Sequence, residues 1–319
     1  MAGAIGRYLP PDPFPGSLVR RHALFALALL AACRTESRPR TPFEGAAALA
    51  YTKTQLDFGP RIPGSAGHRR TGDWLVERGR ATADTVIEQR FPHVTVKGDT
   101  LPLRNILFRF RPRESQRVLY VTHWDSRPVS DAASEAPERR ATPMPGANDG
   151  AAGVGVLVAL AEALKRTPPS VGVDLLFVDG EDYGDFSADK DVLLGSRYFA
   201  QHLPDSAYRP LYAVLWDMVG QQDVRFTQEQ NSLRRAPEVV ALVWKQAQEL
   251  GYGSVFVAAP GLAITDDHVP LLDAGIHIVD VIDYDYPEHH TTRDLLDRIS
   301  QRSLQTVGDV AYALVVQKE

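Results

Sequence analysis

Apolar runs alternate along the chain with segments of helical spacing. The runs are rich in β-branched and aromatic residues, as strands are, and the clearest are NILFRF, VLYVTHW, VGVDLLFVDG, LYAVLWDMVG and IHIVDVIDY. The segment GAAGVGVLVALAEALK (150–165) is almost wholly apolar and predicts a buried helix. Strands that alternate with helices predict an α/β fold. We expect a three-layer α/β/α sandwich with a central mixed, mostly parallel sheet.

The N-terminal segment has a different pattern. Arg20 and Arg21 precede the run ALFALALLAA, and the single cysteine, Cys33, follows it directly. Basic residues, a short apolar run and a small-residue end are typical of a secretory signal, and this run is too short to span a bilayer. LAAC resembles the lipobox of bacterial lipoproteins, so we expect a signal peptide over 1–33 and a lipid anchor at Cys33. A plain signal peptide is the alternative.

Composition narrows the class of protein. A polar tether is expected over 34–42, and no linker interrupts 43–319, which we interpret as one catalytic domain. The net charge of -5 offers no basic surface for nucleic acid or an anionic membrane. One cysteine excludes an internal disulfide and a thiolate zinc site. We expect an exported, monomeric periplasmic or cell-envelope lipoprotein whose membrane contact is the anchor.

Ionisable residues stand at the ends of the apolar runs, where open α/β sheets place their ligand sites. The set consists of His123, Asp149, Glu181, Asp182, Asp217, Asp267 and His290. Asp125, two residues beyond His123, is suited to orient its imidazole. Carboxylates and imidazoles together have the composition of a zinc site with a spare carboxylate for proton transfer.

Most of these residues also have ordinary structural explanations. A lone histidine at a strand end is usually structural, Asn148-Asp149-Gly150 is a turn-forming sequence, and Asp267 suits a helix N-cap. Asp217 differs because it interrupts the apolar run VLWDMVG, where an unpaired carboxylate is costly to bury. Glu181-Asp182 ends a buried strand, so at least one of the two acids is expected at the sheet rim.

The ordered motifs carry a family resemblance. The series HWDS, ANDGAAG, DGED, WDMVG, DDHVP and HHTT resembles the M28 zinc metallopeptidases, and within them the glutaminyl-peptide cyclotransferase (glutaminyl cyclase) branch. FVDGED, GSRYFA, DDHVPLLDAG and DYPEHHT carry the likeness to cyclases. The resemblance covers about 43–317 and implies the fold of zinc-dependent exopeptidases.

The resemblance to cyclases implies one zinc ion and an acyl transfer on peptide N-termini. The ligands it implies are Asp149, Asp182 and His290. Glu181 would take a proton from the attacking α-amine of an N-terminal glutamine and pass it to the leaving ammonia, which forms pyroglutamate. Asp217 and Asp267 would stabilise the protonated intermediates.

The resemblance to M28 aminopeptidases implies two zinc ions at the same positions. His123 and Asp217 would hold one, Asp182 and His290 the other, and Asp149 would bridge them. Glu181 would then deprotonate a metal-bound water. Three departures concern the glutamine pocket: Asp182 replaces an expected glutamate, His289 replaces an aromatic residue, and no tryptophan follows Glu181. A binding protein on an inactive peptidase fold is disfavoured, because every ligand position is kept.

Overall fold

The structure is a computed structural model, and it describes residues 41–316. The predicted signal peptide and the predicted tether, apart from Thr41 and Pro42, lie outside the described residues. The predictions for 1–33, Cys33 and most of 34–42 therefore stay predictions.

Six of the eight described strands form the central sheet. The strands are β1 (Thr85–Val94), β2 (Thr100–Phe110), β3 (Arg117–His123), β4 (Gly172–Val178), β5 (Tyr212–Asp217), β6 (Phe226–Gln228), β7 (Phe256–Pro260) and β8 (Ile278–Ile282). Their order in the sheet is β1-β2-β4-β3-β5-β8. β1–β2 and β2–β4 pair antiparallel, whereas β4–β3, β3–β5 and β5–β8 pair parallel. The sheet is mixed and mostly parallel, as the sequence predicts.

The described helices cover both faces of this sheet. They are α1 (Gly45–Asp57), α2 (Ala66–Thr82), α3 (Gly153–Arg166), α4 (Leu194–Gln201), α5 (Gln230–Arg235), α6 (Pro237–Glu249), α7 (His268–Asp273) and α8 (Gln301–Val315). Helices α1, α3 and α8 pack on one another, while α4 and α7 pack together and reach β2, β4 and β8. This arrangement confirms the predicted three-layer α/β/α architecture.

Helix α3 is the core helix that the sequence predicts, but it begins at Gly153 rather than at Gly150. The preceding turn is irregular, because Asp149 has extended backbone and Gly150 has a φ of +84°. With that turn, Ala147–Arg166 is apolar and long enough to cross a membrane, yet 94% of its most apolar window is buried inside the protein. This segment is therefore a buried helix of the protein core.

The start of α1 and the residues just before it bind to α8, the last described helix. We call this set of contacts the clasp between α1 and α8. Thr41 Oγ1 donates to Asp309 Oδ1 over 2.6 Å, and Gly45 N–H donates to Gln305 Oε1 over 2.8 Å. Gly308 lies so close to the ring of Phe43 that a Cβ there would stand 2.1 Å from it. Residues near both ends of the described chain therefore close the same layer.

Candidate active site

Parallel pairing brings several predicted residues to one edge of the sheet. His123 is the last residue of β3, Asp217 is the last residue of β5, and Glu181 and Asp182 follow shortly after β4. All four are buried. Because the carboxyl ends of parallel strands share an edge, residues far apart in sequence meet there.

His123 lies between two carboxylates. Its Nε2 is 3.1 Å from Asp149 Oδ1 and 3.2 Å from Asp217 Oδ1. Its Nδ1 is 3.5 Å from Asp125 Oδ1. Burial opposes the charged imidazole, but the carboxylates, Asp217 foremost, raise the pKa of His123 well above its usual value. His123, Asp149 and Asp217 form one group whose ligand atoms lie within 4.8 Å of one another.

Asp149 is fixed by the backbone of its own turn. The N–H groups of Asn148 and Asp149 donate to the buried carboxylate of Asp294 over 2.8 and 3.1 Å. At Gly150 a Cβ would stand 2.9 Å from the imidazole of His123, so only glycine permits the approach. The sequence Asn-Asp-Gly is thus a turn, as its composition indicates, and it aims a carboxylate at the site.

His290 faces Asp149 Oδ2, the carboxylate oxygen that does not face His123. Its Nε2 is 3.4 Å from Asp182 Oδ1 and 3.7 Å from Asp149 Oδ2. Its backbone has a φ of +56°, which is uncommon for a side chain of this size. His289 Nε2 is 3.8 Å from Asp149 Oδ2, so Asp149, His289 and His290 make a second possible ligand group.

Asp125 holds the loop that follows β4. Its two carboxylate oxygens accept the N–H groups of Glu181 and Asp182 over 3.1 and 3.2 Å. Asp125 therefore orients Glu181 and Asp182 as well as facing His123. Glu181 Oε2 lies 3.7 Å from His123 Nδ1. Burial above all, with the charge of Asp182 in addition, raises the pKa of Glu181 well above its usual value.

The structure places Asp266 and Asp267 in two different environments. Asp267 is fully buried and accepts a hydrogen bond from Ser196 Oγ over 2.5 Å. Asp266, which sequence reasoning did not select, lines the cavity together with Glu181 and Asp217. Burial, together with the charges of Asp217 and Asp267, raises the pKa of Asp266 well above its usual value. The structure thus places Asp266 on the cavity wall with Glu181, whereas Asp267 is hydrogen-bonded to Ser196 and does not line the cavity.

Arg61 connects the loops behind the site. Its fully buried guanidinium donates to the carbonyls of Trp124, Pro145 and Gly146 over 3.0, 2.9 and 2.6 Å. It therefore joins the segment after His123 to the turn of Asp149. The Pro/Gly-rich segment GPRIPGSAG (59–67), which follows α1, supplies this cation.

The site opens into a cavity of about 830 Å³. Its polar wall includes Arg127, Asp149, Glu181, Asp217, Asp266, His289 and His290. Its apolar wall includes Phe186, Leu262, Ile264, Ile282 and Tyr284. A cavity of this size and composition suits a small organic group with a few polar atoms, such as the first residue of a peptide.

The donor set fits a divalent cation. Carboxylates and imidazoles are the non-thiolate ligands that zinc takes in proteins. Asp182 Oδ2 and His123 Nδ1 are buried and make no hydrogen bond within the described part of the chain. A buried carboxylate oxygen without a donor is costly unless a proton or a metal compensates it.

Comparisons with known proteins agree with this chemistry. The model of Peptidase family M28 matches residues 105–315. The structure of Porphyromonas gingivalis glutaminyl cyclase has a TM-score of 0.82 and 37% identity, over 85% of this chain and 97% of that one. A Zn-dependent exopeptidase from Parabacteroides distasonis has a TM-score of 0.82 and 36% identity, over 86% and 99%. Aminopeptidase YwaD of Bacillus subtilis is 24% identical, over 86% of this chain and 57% of its own length.

Proposed function

The chain belongs to peptidase family M28, and we propose that it is a zinc-dependent glutaminyl cyclase. It converts the N-terminal glutamine of a peptide to pyroglutamate and releases ammonia. The likeness to the cyclase of P. gingivalis, at 37% identity over 97% of that chain, supports this activity.

Asp149, Asp182 and His290 are the residues that we assign to zinc. Both carboxylates lie near His290 Nε2, with Asp149 Oδ2 at 3.7 Å and Asp182 Oδ1 at 3.4 Å, so these three side chains would hold the ion. When bound there, zinc supplies a Lewis acid that polarises the carbonyl of the substrate's side-chain amide.

Glu181 is the proton carrier in this proposal. The α-amine nitrogen of the substrate bonds to the carbon of its own side-chain amide, and the bond from that carbon to the amide nitrogen breaks. Glu181 accepts a proton from the amine and returns it to the departing nitrogen, which leaves as ammonia. Asp125 fixes the backbone of Glu181, so the carboxyl group is held at the cavity wall.

Asp266 is the observation that favours the cyclase over the peptidase. It lies on the cavity wall with Glu181 and Asp217 and belongs to neither ligand group around Asp149, although it forms a third, buried group with His268 and Asp280. Peptide hydrolysis would need one base for the attacking water, Glu181, and Asp217 would help to hold a metal ion. Cyclisation moves one proton from the α-amine nitrogen to the leaving nitrogen, and Asp217 and Asp266 would assist Glu181 in that transfer.

The decisive experiment is product analysis on paired substrates. The protein is incubated with a Gln-peptide and with a Leu-peptide of otherwise identical sequence. We expect ammonia and a cyclised peptide from the first and no reaction with the second. E181Q is expected to abolish turnover while zinc remains bound, as measured by elemental analysis. Release of free leucine or glutamine would overturn the cyclase assignment.

A zinc aminopeptidase is the second candidate, favoured by one observation. Asp149 belongs to two of the three possible ligand groups among the described residues, one with His123 and Asp217 and one with His289 and His290. A shared carboxylate between two groups is the arrangement of a two-metal site. Two equivalents of zinc per chain would support the peptidase, whereas one equivalent supports the cyclase.

We further propose that the chain is an exported, monomeric lipoprotein anchored at Cys33. The support is the sequence alone, in which the single cysteine follows the apolar run directly. We expect the wild type in the membrane fraction and C33S in the soluble fraction of a bacterial host. Size-exclusion chromatography of the chain from residue 34 onwards tests the monomer.

A further inference from the structure

Arg127 bridges two carboxylates at the edge of the cavity. Its Nη1 donates to Asp182 Oδ1 over 2.6 Å and to the Asp182 carbonyl over 3.2 Å. Its Nε and Nη2 donate to the two oxygens of Asp131 over 2.8 and 2.7 Å. Only 5% of Arg127 is exposed, so its guanidinium and its bonds to buried Asp182 are shielded from water, whereas Asp131 is partly exposed. Most of its donors are therefore committed to two acids of the site.

Asp131 in turn faces the imidazole of His290 from the side opposite the ligand group. Asp131 Oδ1 lies 3.5 Å from His290 Nδ1, whereas Nε2 faces Asp149 and Asp182. The N–H of Ala132 also donates to the His290 carbonyl over 3.2 Å. A carboxylate on one ring nitrogen selects the tautomer that leaves the other nitrogen free for a metal.

We propose that Arg127 and Asp131 act as one positioning unit for two of the three zinc ligands. Arg127 orients Asp182 directly, and through Asp131 it sets the tautomer and the ring orientation of His290. This inference rests on the proposed function, because it takes Asp149, Asp182 and His290 as the ligands. Its chemical content is distinct, since Arg127 and Asp131 are not assigned as ligands and act through Asp182 and His290.

The backbone of His290 explains why such a unit is needed. Its positive φ is held by the surroundings rather than by local preference. The loop 127–132 contacts both the ring and the main chain of His290. Without these contacts the imidazole is free to rotate, and Asp182 loses the bond that fixes one of its oxygens.

The test compares R127K and D131A with the wild type. Lysine keeps the charge of Arg127 but cannot reproduce the planar fork that holds two carboxylates. Loss of such an outer contact typically weakens metal binding about 10- to 100-fold, and we expect that change in zinc Kd for both variants by chelator competition. With Co²⁺ in place of zinc, we expect a changed visible absorption spectrum. At saturating zinc, kcat should fall while KM for the Gln-peptide stays within about twofold.

R104K is the matched control. Arg104 is also a buried guanidinium that bridges two carboxylates, with Asp73 Oδ1 at 2.7 Å and Glu88 Oε2 at 2.8 Å, but neither acid lines the cavity. R104K is expected to lower the melting temperature as R127K does and to leave zinc affinity and the Co²⁺ spectrum unchanged. D131A removes a partly exposed side chain, so it remains informative if R127K does not fold.

Two results would overturn this inference. One is a zinc Kd and a Co²⁺ spectrum of R127K and D131A equal to those of the wild type. The other is an equal loss of zinc affinity in R104K. If the wild type itself binds no zinc, the proposed function fails as well, whereas tight binding by wild type and variants alike defeats the positioning unit alone.

Discussion

Asp266 and Asp267 are adjacent and have the same side chain, but they lie in different environments. Asp266 lines the cavity beside Glu181, whereas Asp267 points to Ser196 on α4. Burial raises the pKa of Asp267 to about 7. The motif DDH contains no pattern that separates the two acids, because both belong to the turn before α7 and only its orientation in the fold distinguishes them.

We predict that D266N and D267N have different effects. D266N should lower kcat for the Gln-peptide about 100-fold or more, since general acid–base assistance is worth about 10² to 10⁴. D267N should mainly lower stability, by about 1–3 kcal/mol, because it disturbs a buried hydrogen bond. Steady-state kinetics and urea unfolding of both variants check this. Equal kinetic losses without a stability change in D267N would return the catalytic role to Asp267.

Some residues of the site were predictable from sequence and others were not. Asp217 could be predicted, because a carboxylate inside an apolar strand needs a compensating partner. The structure brings His123 to it. Arg127 and Asp131 could not be predicted, because they lie in the long loop after β3, where an arginine and an aspartate four residues apart are an ordinary pair. Their contacts with Asp182 and His290 come from tertiary structure.

At the scale of elements, strands that form long apolar runs could be predicted from the sequence, whereas the shortest strands and helices could not. β4 and β8 are fully buried, so continuous hydrophobic sequence marks them. The small parallel pair β6–β7 was not predicted, since β6 has three residues and shows no periodicity. Helix α5, with six residues, was missed for the same reason.

Glu229 shows how these short elements are held in place. Its carboxylate accepts the N–H groups of Asn231, Ser232 and Ile264 over 2.7, 2.6 and 2.9 Å. It thereby caps α5 and ties it to the loop that carries Ile264 to the cavity wall. Although burial opposes ionisation, His268 and these N–H groups lower the pKa of Glu229 from 4.5 to about 2.

We predict a pH-dependent stability effect of E229Q. A carboxyl group with a lowered folded pKa stabilises the protein above its unfolded pKa, and that contribution is lost as the pH falls through the folded pKa. E229Q should lower the free energy of unfolding by about 1–3 kcal/mol at neutral pH. The difference from wild type should shrink between pH 4.5 and about 2.

Urea unfolding of wild type and E229Q across this pH range measures the difference in the free energy of unfolding. E249Q is the control, because Glu249 is exposed and its ion pair with Lys245 spans 3.8 Å. Its effect should stay below about 1 kcal/mol at every pH. A pH-independent loss in E229Q would contradict the capping role of its charge.

At the scale of the whole molecule, the site gathers the ends of separate strands and loops. Buried acids outnumber buried cations there, with Asp125, Asp149, Asp182 and Asp217 near Arg61 and Arg127. A bound cation neutralises part of this excess charge. Metal binding and stability of the entire domain are therefore expected to be linked.

We predict that zinc raises the melting temperature. A ligand that binds only the folded state adds about 2.7 kcal/mol of stability at a free concentration of 100 times its Kd. Calorimetry of chelator-treated protein with and without added zinc checks this. D182N should lose most of the increase, whereas R104K should keep it. An equal increase in D182N would show that zinc acts elsewhere.

The clasp between α1 and α8 constrains when this protein can become active. Its partners, such as Thr41 with Asp309, lie at opposite ends of the described chain. Synthesis and threading through a secretion channel both proceed from the N-terminus, so the face of α1 that binds α8 stays bare until the last helix emerges. Under the export that we propose, the chain would cross the membrane as an incomplete fold and acquire its active site only after export.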